Sequence, residues 1–201
     1  MSRLPMLAPE PDSPELQGIL ADLRRTAGPA FELPNLYRVL AISPPMFRAW
    51  IDFAWPLRLQ ATSARALREL LILRGAQVCK ARYEWAHHVP MALEAGLTRQ
   101  QIDALHRWRE ADCFDAQQQA ILRMAEEVSE GPAASAEAIA ALRAGGFPDE
   151  QVVELVLTAS FYVCVARFLA SMDIPLEDGY DRYLDRGECR LPRGFVERGS
   201  P

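Results

Sequence analysis

The sequence predicts an all-α fold, a single-domain helical bundle, and three observations carry that expectation. Proline, glycine and capping residues divide the chain at helix-like intervals. Between them, apolar residues recur at spacings of three and four. No segment sustains the period-two alternation of β-branched residues that a strand needs.

Taken in order, Ser13-Pro14-Glu15 sets a capping serine before a proline at the first helical position, opening a helix that ends near Gly28. Pro34 starts a short apolar-periodic piece with Leu36, Val39 and Leu40. Ser43-Pro44-Pro45 opens a longer helix with Met46, Phe47, Trp50, Ile51 and Phe53 on a wide apolar stripe, and Pro56 is expected to kink or stop it. Thr62-Ser63 begins a helix whose Leu67, Leu70, Leu71, Leu73 and Ala76 leave no polar half, the pattern of a buried helix. After a break at 80–82, another helix runs from Tyr83 to about Glu94 and stops at Gly96. Thr98, Asp115 and Ser135 cap three more, and Phe147-Pro148-Asp149 leads into the last, Glu150 to Met172. The chain thus reads as an N-terminal extension and first helix (1–33), a helical domain (34–174) and a polar C-terminal arm (175–201). One internal echo relates 92–102 to 141–152: each is a helix ending at glycine followed by a new helical start, through shared joint chemistry or an old repeat.

A chain of 201 residues supports one core, or at most two small ones. Half the residues are hydrophobic and 24% are charged, which argues against wholesale disorder. A net charge of −5 with no Lys/Arg tract argues against nucleic acid and anionic lipid as partners. The proline-rich start has no apolar run of signal-peptide length, and the longest apolar stretch, 159–166, is too short to span a bilayer and ends at Arg167. A cytoplasmic protein is expected. Cys79, Cys113, Cys164 and Cys189 are far apart, with no CxxC and no zinc-type spacing, so they read as small apolar fillers.

The segment richest in chemistry is Tyr83-Glu84-Trp85-Ala86-His87-His88, which holds two of the three histidines. Glu84 and His88 are i and i+4 on a helix and able to hydrogen-bond, as a general acid/base pair requires. On residues alone, a solvated ion pair explains them too. Glu69 is an acid on the otherwise apolar helix before it, and it either edges that helix toward solvent or points into the pocket of His88. Adjacent helical histidines point about 100° apart, so a shared metal is not expected.

The ordered set Arg68-Glu69-Leu70-Leu71-Ile72-Leu73-Arg74, then Tyr83 to Val89, then Ala95-Gly96-Leu97-Thr98, resembles the core of the carboxymuconolactone decarboxylase family, which includes alkylhydroperoxidase D-like proteins. The likeness covers roughly 35–172 and is strongest over 68–98. It implies an alkylhydroperoxidase D-like helical fold and catalytic residues Glu69, Glu84 and His88. The peroxidase branch uses a CxxC upstream of the histidine; the matching positions here are Ala81 and Glu84, so both redox cysteines are missing. The decarboxylase branch is similar at Glu84 and works without metal or organic cofactor. The resemblance therefore implies a cofactor-independent lyase or isomerase acting on a small carboxylated or lactone-type molecule. Tyr83, Trp85, His87 and Trp55 would line the pocket, and Arg74 or Arg167 would bind a substrate carboxylate unless each serves an ion pair. It also implies self-association as a dimer, trimer or hexamer. Two alternatives stay open: a peroxidase-related antioxidant protein, and a non-catalytic ligand-binding oligomer.

Overall fold

The computed structural model describes residues 2–185, which form ten α-helices and one 3₁₀ turn with no strand among them. In chain order they are α1 (Pro14–Ala27), α2 (Asn35–Leu40), α3 (Pro44–Leu59), α4 (Arg65–Val78), α5 (Arg82–Glu94), α6 (Arg99–Ala104), α7 (Ala116–Glu130), α8 (Ala136–Ala144), α9 (Asp149–Met172) and α10 (Arg182–Asp185), with the 3₁₀ turn at Leu105–Arg107. Cys189 and the arm from 186 onward lie outside the described residues.

The capping residues act largely as the sequence predicts. Thr98 and Asp115 each form a reciprocal box, Thr98 with Gln101 and Asp115 with Gln118, and Ser135 accepts from the Ala138 amide at 3.1 Å. Ser13 and Ser43 make no such side-chain bond, and the prolines that follow them start α1 and α3 through their fixed φ. Pro56 does not stop α3, which continues to Leu59 and ends with the Gln60 amide on the Pro56 carbonyl. The start of α4 moves to Arg65, because the Thr62 and Ser63 amides are taken by the Glu154 carboxylate of α9 at 2.7 and 2.9 Å.

The internal echo corresponds to one joint used twice. Gly96 and Gly146 have φ of +101° and +90°, and the next amides, Leu97 and Phe147, reach back to Ala92 and Leu142 at 2.9 and 3.3 Å. The α4–α5 turn has the same form with lysine at the left-handed position: Lys80 has φ +56°, and the Ala81 amide reaches Ala76 at 2.8 Å. An L-residue there is disfavoured, so Lys80→Gly is expected to stabilise the protein by roughly 0.5–1 kcal/mol in denaturant titration. No gain would show that the lysine stem offsets the backbone cost.

Helix α4 is the buried axis that the sequence predicts: Leu70, Leu73 and Ala76 have no exposed surface. It packs chiefly against α5, α7 and α9. Helix α9 is long and apolar enough, by length and composition, to cross a bilayer. In the bundle it is a spine, with Val152, Leu155 and Ala159 packed among α4, α7 and α8 and Phe161, Val165 and Leu169 packed among α1 to α3. Arg68 ties the α3–α4 corner from inside: its guanidinium donates to the Ser63 carbonyl, to Ser63 Oγ at 3.1 Å and to the Arg58 carbonyl at 3.2 Å. The Arg-Glu-Leu run thus divides its roles, with Arg68 at the corner, Leu70 in the core and Glu69 left for the site.

Candidate active site

At about 100° per residue, Tyr83, Glu84, His87, His88, Met91 and Glu94 fall on one side of α5. These six line a cleft of about 590 Å³, within the size range of small-molecule sites. Its other walls are the end of α3 with Trp55 and Arg58, Tyr37 of α2, and Phe161 and Tyr162 of α9. Trp85, Ala86, Val89 and Ala92 occupy the opposite side of α5 and are buried in the core.

Helices α4 and α5, joined by a short turn, bring Glu69 near the start of one beside His88 past the middle of the other. His88 Nδ1 is 2.7 Å from Glu69 Oε2, and both side chains are buried. With Nδ1–H donating to the carboxylate, Nε2 is the ring's second nitrogen and has no protein hydrogen-bond partner among the described residues. Tyr162 packs edge-on against the imidazole with ring centres 4.9 Å apart. Burial pushes the Glu69 carboxyl up, but the charge and hydrogen bond of His88, with Arg58 and Arg65 nearby, outweigh it and hold Glu69 below the ordinary carboxylate range. Arg65 Nε stands 3.7 Å from Glu69 Oε1.

Glu84 is the contrasting carboxyl. It is 2% exposed, and neither carboxyl oxygen has a hydrogen-bond partner among the described residues. Burial pushes its pKa well above the ordinary value, which favours the neutral acid. The expected hydrogen bond between Glu84 and His88 is not formed, because the imidazole turns across the helix pair to Glu69, where the arginines gather.

His87 turns another way. Its Nε2 lies 2.6 Å from Glu177 Oε2, and its ring is stacked between Tyr83 and Tyr180 at 4.4 and 4.1 Å. Glu177 also accepts from Tyr83 Oη and the Asn35 amide, both at 2.6 Å. Burial pushes Glu177 up, yet these donors hold it at about 2.

Of the pocket residues expected from sequence, Tyr83, His87 and Trp55 line the cleft, and three do not. Trp85 faces the core and donates Nε1–H to the Tyr183 carbonyl at 3.2 Å, because the helical period puts it about 100° past Glu84. Arg74 is consumed by Glu126 at 2.6 Å, Gln77 Oε1 and the Leu105 carbonyl, where it ties α4 to α7. Arg167 is exposed on α9 and is not among the cleft residues. Sequence reasoning missed Arg58, Arg65 and Glu177. Arg58 was legible had α3 been carried one turn past Pro56, since Ala54 and Arg58 share a face; nothing in the polar arm singled out Glu177.

The sequence profile described as the carboxymuconolactone decarboxylase family matches residues 44–127. No curated protein matches the chain. Among solved structures, the fold is similar to that of an uncharacterized peroxidase-related protein from Ralstonia eutropha with an alkylhydroperoxidase AhpD core, at TM-score 0.74 and 20% identity over 90% of this chain and 95% of that one. A peroxidase-related protein from Silicibacter gives 0.73 and 19% over 89% and 92%, and a debrominase gives 0.75 and 17% over 90% and 96%. Residues 44–127, which hold Glu69, Glu84 and His88, thus match the carboxymuconolactone decarboxylase family profile, and the chain has the alkylhydroperoxidase D-like helical fold.

Proposed function

We propose that the protein is a cofactor-independent acid/base enzyme, a lyase or isomerase acting on a small carboxylated or lactone-type molecule, with Glu69, Glu84 and His88 as its catalytic residues. One observation carries this reading: the His88 imidazole at the cleft is held from behind by Glu69, while Glu84, one helical turn before it on the cleft wall, has the opposite protonation preference. Ionised Glu69 fixes the His88 tautomer and stabilises the imidazolium, so Nε2 is poised to take a proton. Neutral Glu84, one turn away, supplies a hydrogen bond to developing negative charge. In a decarboxylation, the carbon–carboxylate bond breaks and CO₂ departs, leaving the electron pair on the substrate as an enolate. Glu84 hydrogen-bonds the enolate oxygen, and His88, having taken a solvent proton at Nε2, delivers it to carbon and returns to the neutral base. In a double-bond isomerisation, His88 removes and redelivers the proton. Tyr83, His87 and Trp55 shape the cleft around the substrate.

The thiol-peroxidase alternative is not favoured. Such chemistry needs an accessible thiolate, and none of the described cysteines, Cys79, Cys113 and Cys164, lines the cleft. Burial pushes the Cys79 thiol up. These free thiols fit a reducing, cytoplasmic setting. The proposal is tested by CO₂ release and by solvent-deuterium incorporation with carboxymuconolactone and a panel of carboxylated lactones. Neither signal with any of them would overturn it.

Self-association belongs to the same proposal. Met46 and Phe53 of α3 and Val153 and Leu157 of α9 are exposed apolar side chains, with Phe53 at 45% and Val153 at 57%. A second copy is the partner proposed for them. Phe53→Glu with Leu157→Glu is expected to convert an oligomer to monomer in native mass spectrometry with helicity unchanged; a monomeric wild type would refute this.

A further inference from the structure

Arg58 reaches the cleft because α3 runs one turn beyond Pro56. The Arg68 bond to its carbonyl fixes the backbone there. Its guanidinium makes one polar contact, Nη2 to Met91 Sδ at 3.4 Å on α5, and thioether sulfur is a weak acceptor. The other basic side chains at the cleft have carboxylates: Arg65 has Glu94 at 3.0 Å, His88 has Glu69 at 2.7 Å and His87 has Glu177 at 2.6 Å. Arg58 has none among the described residues, although it lines both the cleft and a water-sized void of about 20 Å³ shared with Glu69 and His88. The walls beside it are flat and apolar, from Phe31, Trp55, Phe161 and Tyr162. Phe31 and Trp55 meet edge to face with centres 6.2 Å apart.

A guanidinium with no carboxylate in contact among the described residues, next to aromatic faces and a proton-transfer group, describes half of a binding site. We propose that Arg58 is the anion anchor of this cleft and selects small planar monocarboxylates: the carboxylate pairs with its guanidinium and the ring lies between the aromatic walls. Arg58 thus takes the part that the sequence assigned to Arg74 or Arg167. A single guanidinium with no carboxylate in contact suits one carboxylate, and its planar fork matches it with two parallel N–H bonds. Placing the reacting atom at His88 Nε2 rests on the acid/base reading above; anion selection does not.

Calorimetry with benzoate and its neutral isostere benzamide separates the two ideas. Benzoate is expected to bind at least about tenfold more tightly than benzamide, the advantage of a charge-assisted pair. Arg58→Gln should remove that preference while holding benzamide affinity within about twofold, and Arg58→Lys should keep part of it. Circular dichroism checks the fold of each variant, and the wild-type ratio tests the idea independently of any variant. Equal affinities in the wild type, a preference that survives Arg58→Gln, or no saturable binding of either compound at millimolar concentration would overturn it. His88→Ala should keep the benzoate preference, so a failed turnover assay with the preference intact removes only the catalytic reading.

Discussion

Replacing His88 by alanine is expected to lower turnover by about 10²–10⁴-fold, the usual contribution of a positioned general base. Its side chain is buried, and it gives Nδ1 to Glu69 at 2.7 Å, leaving Nε2 as the proton-accepting position. Glu69→Gln tests the same unit from behind. The amide keeps the shape but loses the charge that stabilises an imidazolium, so most of the loss should appear in kcat with KM changed little. His88→Ala and Glu69→Gln together should cost about as much as either alone, because the pair acts as a unit. Independent, multiplying losses, or a double variant that retains full activity, would show that the pair is structural. Solvent-deuterium incorporation gives a second readout that misfolding alone does not mimic, when checked against unchanged helicity.

Glu84→Leu is expected to do the opposite to stability and the same to activity. A buried acid with neither oxygen bonded carries an unrecovered desolvation penalty of roughly 1–3 kcal/mol. Leucine removes that penalty and adds apolar contact, so the variant should unfold at higher denaturant concentration while turnover is lost. The pH dependence follows from the direction of the shift. The folded-state pKa lies well above the ordinary value of 4.5, so between the two the folded protein holds a proton that the unfolded chain has released. Stability from this group therefore falls as pH rises from about 4.5 toward the folded value. Glu69 and Glu177 are shifted down, so their stabilisation is present above the ordinary value and is lost as pH falls, for Glu177 through about 2. Glu84→Leu should erase the loss on the alkaline side and leave the acid limb in place. An unchanged alkaline slope, or a variant less stable than the wild type, would mean that Glu84 is satisfied in solution.

The helices were legible because capping chemistry and apolar period are local: Thr98, Asp115 and Ser135 announce their helices, and the uninterrupted apolar run of α4 announces its burial. The residues proposed for the site, Glu69, Glu84 and His88, were legible as well, since they belong to the ordered motif segments. Its wiring was not. An i,i+4 spacing shows that Glu84 can meet His88, yet the competing partner comes from another helix, and only packing decides between them. Arg58 was hidden for a local reason, because a proline inside a helix reads as an end when its neighbours still supply enough packing to continue. Glu177 was hidden for a distant one, as its donors Tyr83 and His87 lie far back in sequence.

That last contact changes where the cleft-forming unit can be cut. Tyr180 forms part of the cleft wall, Glu177 binds both α2 and α5, and the Tyr183 carbonyl receives the indole N–H of Trp85. A chain shortened at Ile174 would keep every residue of the family profile and still have an open-sided cleft, with a buried indole donor lacking its acceptor. For protein engineering, the smallest portable unit is therefore larger than the homologous segment, and fusions or tags are better joined beyond residue 185 than at the apparent end of the bundle.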